Sequence, residues 1–217
     1  AIGFSDPQLP LCWVFLLKEE IMSIEQQLKR QVAVKLRSAA IAVLPTINTH
    51  ISKIYREQVF VSEIHSGILA ADFGLSPSKA HAATESIISD LIANTKAEFI
   101  PGTGHILGTL RVTIKTGLSQ SVFTDAEYKS GKYDIPWLTW LLSAGSRVVI
   151  MDHSVNYSQS SRSRSGQALM VQDKGGVFRV NEKFSGSPGD NILTRMFGSQ
   201  VKSIQNIMVQ EIKKQFK

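Results

Sequence analysis

The residue types that usually carry chemistry are sparse and widely separated in this sequence. Its five histidines fall in different predicted elements, at spacings unlike those of metal ligands: His50, His65, His81, His105 and His153. Asp152 directly precedes His153, but neighbouring residues of a strand point to opposite faces, which argues against an acid–base pair. We therefore interpret the histidines as ordinary surface or core residues and predict no catalytic or metal-ligating residue.

Short motifs with a catalytic or phosphate-binding mechanism are also absent. The segment GTGHILG (102–108) has a glycine spacing one residue too long for a dinucleotide-binding loop, and a predicted strand follows where a helix is required. The sequence contains no P-loop, no His-Glu-x-x-His and no Gly-x-Ser-x-Gly motif. We predict a protein without enzymatic activity and without a cofactor. A hydrolase with dispersed catalytic residues is the least favoured alternative.

The segment SQSSRSRSGQALMV (158–171) contains a loop whose composition indicates binding; we call residues 158–166 the serine–arginine loop. Its Arg162 and Arg164 suit non-specific phosphate contacts, whereas the plainer interpretation is a solvated loop. Predicted strands on both sides fix the root of the loop, so that its tip, with Ser160, can reach a neighbouring subunit. We favour ordering by a neighbour, because so few apolar residues cannot offset the entropy of ordering.

Large aromatic side chains are further candidates for contact. Trp137 and Trp140 are three residues apart, which places them on one face of a short predicted helix. We favour packing in the core for this pair over an exposed contact patch, although one of the two could serve as an interface hot spot. Trp13 lies in the apolar segment LPLCWVFLL (9–17), interpreted as an arm that packs on the core or on a neighbour.

The composition narrows the class of protein. With 217 residues, of which 43% are hydrophobic, the chain can bury one sizeable core or two small ones. A single cysteine, Cys12, excludes an intramolecular disulfide framework and a Cys-rich zinc site. The net charge of +6 is compatible with nucleic acid, an anionic surface or an acidic protein partner.

The N-terminal apolar run is too short to predict membrane insertion. Residues 9–17 reach roughly half the length that crosses a bilayer, and no basic leader precedes them, so we predict no membrane partner and no secretory signal. Met22 followed by Ser23 resembles a translation start. Residues 1–21 are therefore expected to be an N-terminal arm or extension.

Hydrophobic spacing predicts a helical region over residues 22–100. Apolar residues recur every three or four positions along residues 17–44, and Pro45 is expected to end or kink this helix. Helical spacing continues to Gly74, a predicted C-terminal cap, and a further alanine-rich helix begins with Ser76 as its N-cap.

Residues 101–217 are predicted to form an α+β region. Alternating apolar residues indicate a strand in TLRVTIKTG, and strands over 147–157 and 167–172 make the serine–arginine loop a hairpin extension. Asp-Lys-Gly-Gly (173–176) is typical of a turn that joins 167–172 to a further strand.

Two helices are predicted within this region from their caps. Thr124 and Glu127 have the spacing of a capping box, and Ser187 with Asp190 is the expected start of a long C-terminal helix. The predicted fold class is α+β, with a helical N-terminal half, a small mostly antiparallel β-sheet and a long C-terminal helix.

The order of these elements resembles the neck and tail-completion structural proteins, the head-to-tail connectors, of tailed bacteriophages. The resemblance covers roughly residues 105–200 and is most specific in PWLTWLL (136–142), SRSGQALM (163–170) and FRVNEKFSGSPGDNILTRMF (178–197). It implies a non-enzymatic virion protein at the head–tail junction, made in the host bacterial cytoplasm. The expected partners are further copies of the chain, in a ring of six or twelve, and adjacent neck, portal-side connector or tail-tube and terminator proteins.

The resemblance also completes the predicted set of interface residues, which contains Trp13, Trp137, Trp140, Ser160, Arg162, Arg164, Phe178 and Arg179. Arg162 and Arg164 are in addition predicted to make transient, non-specific contacts with genome DNA in the channel of the ring. The alternative function is a non-specific nucleic-acid-binding protein that uses the basic serine–arginine loop.

Overall fold

The computed structural model describes residues 11–103, 107–130, 133–163 and 165–217, with the backbone alone at 11–23, 128–130, 133 and 159–161. The elements follow in the order α1 (Leu11–Arg56), α2 (Val59–Ser66), α3 (Ile68–Phe73), α4 (Pro77–Ala93), β1 (Thr95–Pro101), β2 (Gly108–Ile114), α5 (Gln120–Ala126), β3 (Tyr128–Ser130), β4 (Tyr133–Ile135), α6 (Trp137–Ser143), β5 (Val148–Asn156), a 3-10 helix (Tyr157–Arg162), β6 (Leu169–Arg179) and α7 (Ile192–Gln215).

The predicted fold class is confirmed: the chain is α+β, with a helical N-terminal half, small antiparallel sheets and a long C-terminal helix. The strands do not form one sheet. Within the described residues they pair as β1 with β2, β3 with β4, and β5 with β6.

The chain forms two compact units, each assembled from separated stretches of sequence. Among the described residues, the first unit contains those up to Val43, those within Ala97–Arg111 and Met208–Lys217, and the second contains those within Leu44–Lys96 and Val112–Ile207. These units do not follow the predicted linear boundaries at residues 21 and 100.

The second unit has a core of aliphatic and aromatic side chains. Helices α2 to α6, the end of α1 and the start of α7 contribute to it, because each carries apolar residues three or four positions apart on one face. Its largest fully buried side chains include Ile47, Ile51, Tyr55, Ile64, Leu69, Leu91, Trp137, Leu141 and Leu193. The predicted caps at its centre are confirmed: Gly74 adopts a φ of 64° at the end of α3, and the Ser76 hydroxyl accepts a hydrogen bond from the Lys79 amide at the start of α4.

The first unit combines the N-terminal part of α1, β1, β2 and the last residues of α7. The Lys35 ammonium lies 5.2 Å from the centre of the Phe216 ring, and the Arg37 guanidinium lies 5.9 Å from that of Phe99. Basic residues of α1 therefore contact aromatic rings from the strands and from α7.

Helix α1 continues through Pro45, where the sequence predicted an end or a kink; the predicted end is wrong. Val43, Ile47 and Ile51 are fully buried on either side of the proline. Their burial outweighs the cost of a proline in a helix interior, about 3 kcal/mol.

The predicted helical region, 22–100, extends too far, because α4 ends at Ala93 and Thr95–Pro101 is a strand. Asn94 caps α4, and the Thr95 hydroxyl donates a hydrogen bond to the Leu91 carbonyl at 2.7 Å. The next residues alternate in burial, as expected for a strand paired with β2.

The helix starts that were predicted from capping boxes are also wrong. Thr124 lies inside α5, where its hydroxyl donates to the Gln120 carbonyl, because burial of Val122 and Ala126 extends the helix toward its N terminus. At α7 the cap is Asn191: its side-chain oxygen accepts hydrogen bonds from the amides of Leu193 at 3.0 Å and Thr194 at 3.2 Å. Ser187 and Asp190 instead form a turn ahead of the helix.

Candidate functional site

The most prominent feature outside the helical core is the hairpin formed by β5, the 3-10 helix and β6. Its two strands are antiparallel, which confirms that the serine–arginine loop is a hairpin extension. The register passes from Met151 opposite Val177 to His153 opposite Gln172, so that Asp152 faces the four residues 173–176.

Residues 173–176 therefore form a bulge within one long strand, and the predicted turn between two strands is wrong. Asp152 adopts a φ of 55°, and its carboxylate accepts a hydrogen bond from the Gly175 amide at 2.9 Å. This bond stabilises the extra residues without ending the strand.

The inner face of the hairpin is fixed to the core of the second unit. Phe178 is 5% exposed, and its ring contacts those of Phe73 and Trp140 at centroid distances of 6.2 and 6.5 Å. Ile150, opposite Phe178, is half-buried. Alternate residues of the base of the hairpin thus pack inward.

The outer face of the hairpin is largely apolar and exposed. We define it by the cross-strand pairs Val148–Arg179 and Met151–Val177, whose four side chains are all exposed. Met151 is 72% exposed and Val177, directly opposite, is 49% exposed. An apolar cross-strand pair on the solvent side of a two-stranded sheet leaves surface that a partner could bury.

The far end of the hairpin is tied to helix α3. The Tyr157 hydroxyl donates a short hydrogen bond to the Asp72 carboxylate. Next to it, the Asn156 side-chain oxygen accepts hydrogen bonds from the amide and the hydroxyl of Ser158, at 2.9 and 2.6 Å. The start of the serine–arginine loop is therefore ordered within the chain, where the sequence predicted ordering by a neighbour.

Burial changes the ionisation of both members of this pair. The pKa of Asp72 is raised, because burial disfavours its charged form; the hydrogen bond from Tyr157 opposes this effect. The pKa of Tyr157 is also raised, by burial and by the neighbouring carboxylate. Tyr157 is accordingly a neutral hydrogen-bond donor over the physiological range.

A cavity of about 600 Å³ lies beside this contact, within the second unit; we call it the hairpin pocket. Apolar side chains make most of its wall, among them Ile135, Trp140, Ile150, Leu169 and Met170. Asp72, Asp134 and His153 are its titratable groups. The volume lies in the range of small-ligand pockets, about 300–1,000 Å³.

The carboxylates of the hairpin pocket have no cationic partner in the described part of the chain. None of the ion pairs among those residues involves Asp72 or Asp134. The pocket therefore offers two acids and the half-buried indole of Trp140, a combination that suits a guanidinium or ammonium group.

The structure separates the predicted aromatic interface residues. Trp137 is 1% exposed, and its indole N–H donates to the Ala126 carbonyl at 2.6 Å. Trp137 and Phe178 are core residues rather than the exposed contact residues predicted, because burial leaves them no surface to offer. The favoured interpretation of Trp137 as core is confirmed, whereas Trp140 is half-buried and lines the hairpin pocket.

The basic residues predicted at the interface remain on the surface where they are described. Arg162 is exposed in the 3-10 helix, and the exposed Arg179 donates a hydrogen bond to the Ser146 carbonyl at 3.1 Å. Arg164 lies outside the described residues, and the side chains of Ser160 and Trp13 lie outside them as well. The contact predictions at these positions stay predictions.

Sequence analysis missed Asp72, Asp134 and Tyr157 as site residues. Asp72 and Tyr157 are 85 positions apart, and only tertiary folding brings them together. A single aspartate in a predicted helix carries no sequence signal for this role. The sequence offers one hint, which is the acidic Asp72 within the otherwise apolar segment LAADF (69–73) of a predicted helix.

Three further observations bear on the chemistry of the site. Among the described residues, no cluster of histidine, cysteine, aspartate or glutamate side chains is arranged to hold a metal ion. No helix in that same part of the chain combines the length and the apolar character that crossing a membrane requires. No protein-family model matches the chain, and neither a curated protein nor a solved structure is similar to it.

Proposed function

We propose that this protein is a ring-forming structural subunit in the neck of a tailed bacteriophage, with no enzymatic role. The observation that carries the proposal is the outer face of the hairpin, where Met151 and Val177 stay exposed on a regular, otherwise anchored element. A two-stranded sheet is marginally stable alone, so burial of this face against a neighbouring copy would stabilise the hairpin. The resemblance of residues 105–200 to neck and tail-completion proteins supports the same function.

A ring subunit needs surfaces that a monomer does not. Each copy contacts a neighbour on both sides, and neck proteins above and below, so apolar surface that is uncovered in one copy is covered in the assembly. Helix α1 carries exposed apolar residues of its own: Ile24, Leu28 and Ile41 are 64%, 59% and 74% exposed. Their exposure supports assembly but does not identify the neighbour.

Substitution of the outer face tests the proposal. We expect wild-type protein to form rings visible by negative-stain electron microscopy, and Met151→Lys to leave the chain folded but abolish the rings. Gln172→Lys is the matched control, because Gln172 is exposed on the same hairpin. A wild-type protein that is strictly monomeric, and absent from phage particles by mass spectrometry, would contradict the proposal.

The second candidate, non-specific nucleic-acid binding, is favoured by one observation, the exposed Arg162 in a chain of net charge +6. If this is the principal function, the free monomer binds DNA with a steep salt dependence. Changing Arg162 and Arg164 to alanine then reduces the magnitude of the slope of log association constant against log salt concentration by about 2. Fluorescence anisotropy measures both. Binding that is weak at low salt and unchanged by these substitutions would exclude this candidate.

A further inference from the structure

We propose that the hairpin pocket of one copy receives the Arg30 side chain of a second copy, and that this contact joins neighbouring subunits. The inference rests on the proposed ring function and assigns one of its interfaces. It starts from two features of the chain that are uncovered and chemically complementary: an acidic, largely apolar pocket in the second unit and a basic, apolar stripe on helix α1.

The pocket supplies the acceptor. Asp72 is half-buried and Asp134 is exposed, so one carboxylate lies deeper than the other along the wall of the cavity. Trp140 adds an aromatic surface on which a guanidinium stacks favourably. Planar stacking together with carboxylate pairing favours arginine over lysine as the occupant.

The donor is identified by elimination among the basic residues at positions 24–43 of α1, all of which have described side chains. Lys29 forms an ion pair with Glu25 at 2.7 Å, while Lys35 and Arg37 lie against the Phe216 and Phe99 rings. Arg30 is exposed and, in the described part of the chain, has no hydrogen bond, ion pair or ring contact. It is thus the basic residue of this stretch that is available to a partner.

Apolar residues accompany Arg30 on the same side of the helix. Val34 and Ile41 follow it by four and eleven positions, which places all three in one row along α1. Val34 is 58% exposed and Ile41 is 74% exposed. This row can cover the apolar wall of the pocket while the guanidinium reaches the carboxylates.

The geometry of such a contact suits a ring. The pocket and the α1 row are different surfaces, so the contact joins unlike faces of two copies and leaves one of each free for the next copy. A contact of this kind forms a ring where the rotation between copies closes, and an open filament where it does not. It therefore agrees with a cyclic assembly, whereas a contact between like faces would stop at a dimer.

A charge exchange tests the contact with the full-length chain. We expect Asp134→Lys and Arg30→Glu each to lower association at least tenfold by sedimentation velocity, and the two substitutions in one chain to restore it. A mixture of the two single variants should also assemble, with the variants in alternation, since one junction keeps its original charges and the next has both charges exchanged. Asp173→Lys and Lys202→Glu, at exposed residues that neither line the pocket nor belong to the α1 row, should assemble like wild type.

The outcomes separate this inference from the proposed function. Each single variant is first shown to be folded by circular dichroism. If either of them then forms rings as well as wild-type protein does, the Arg30 contact is overturned and the proposed ring remains. If the charge exchange restores association but the protein is absent from particles, the contact stands and the neck function is overturned. A wild-type chain that stays monomeric at every concentration and in particles overturns both.

Discussion

At the scale of single residues, the structure assigns different roles to two tryptophans that the sequence placed on one helical face. Trp137 is buried with its indole N–H satisfied, whereas Trp140 lies partly exposed in the hairpin pocket. Their spacing could predict a shared face and a core role for one of them. It could not predict which, because that depends on where the hairpin packs.

The role of Trp137 is tested by truncation. Trp137→Ala removes a buried aromatic side chain from the core and leaves the Ala126 carbonyl without its donor, so we expect the free energy of unfolding to fall by about 3–5 kcal/mol. Urea unfolding measures the loss. Trp137→Phe should lower the free energy of unfolding by less. Any Trp137→Ala protein that remains folded should assemble like wild type. A small loss of stability together with a large loss of assembly would contradict the core role.

We expect the charged carboxylate of Asp72 to lower the free energy of unfolding and, at the same time, to strengthen association with a second copy. Its pKa in the folded protein lies above the unfolded value of 3.8, so the native state binds the proton more tightly. The tighter proton binding of the native state therefore stabilises the fold most below pH 3.8, and this stabilisation is lost as pH rises through the folded pKa. Asp72→Asn keeps an oxygen that accepts from Tyr157 and removes the buried charge.

We therefore expect the stability of Asp72→Asn relative to wild type to increase as pH rises above 3.8, while association weakens. Urea unfolding at several pH values gives the first quantity, and sedimentation velocity at neutral pH gives the second. A difference in stability that does not vary with pH would show that the charge of Asp72 is not disfavoured by burial.

At the scale of elements, strong local signals predicted that a helix or strand exists better than they predicted where it begins and ends. Alternation and helical spacing predicted β2, β5, α4 and α6, but the start of α7 and the continuity of β6 depended on contacts that no local pattern contains. Asp152 and Gly175 both adopt a positive φ, and the strand absorbs three extra residues there, since the four residues 173–176 that read as a turn face Asp152 alone. The N-cap of α7 was predicted at the wrong residue, because Ser187 with Asp190 and Asn191 with Thr194 both have residue types and a spacing that suit the start of a helix.

Two alanine substitutions distinguish the two caps. Asn191 is 6% exposed and accepts two amide hydrogen bonds, and the Thr194 hydroxyl accepts one from the Asn191 amide at 2.9 Å. We expect Asn191→Ala to lower the free energy of unfolding by about 1–2 kcal/mol. Ser187→Ala, which removes one long exposed hydrogen bond, should cost less than about 0.5 kcal/mol. Thermal unfolding followed by circular dichroism compares them; equal losses would favour the predicted start at Ser187.

At the scale of the whole molecule, composition and element order predicted the fold class, but not the grouping of segments into units. Residues 97–111 and 208–217 belong with the N-terminal part of α1, although more than fifty residues separate each from it along the chain. Contacts at such separations leave no local pattern. The candidate site has the same origin: segments near residues 72, 134 and 157 combine in the hairpin pocket and its Tyr157 contact.

Assembly and folding should be separable in the serine–arginine loop. Its start is held by Asn156 and by the Tyr157–Asp72 hydrogen bond in the isolated chain, while Arg162 beyond it is exposed. We expect amide hydrogen exchange to show slow exchange for β5 in monomer and ring alike. Amides over 161–166 should exchange faster in the monomer than in the ring, because we expect a neighbouring copy to add cover to this segment. The Met151→Lys protein provides a state without rings under identical conditions. Equal exchange over 161–166 in both states would mean that the chain orders the loop by itself, and that the loop takes no part in the interface.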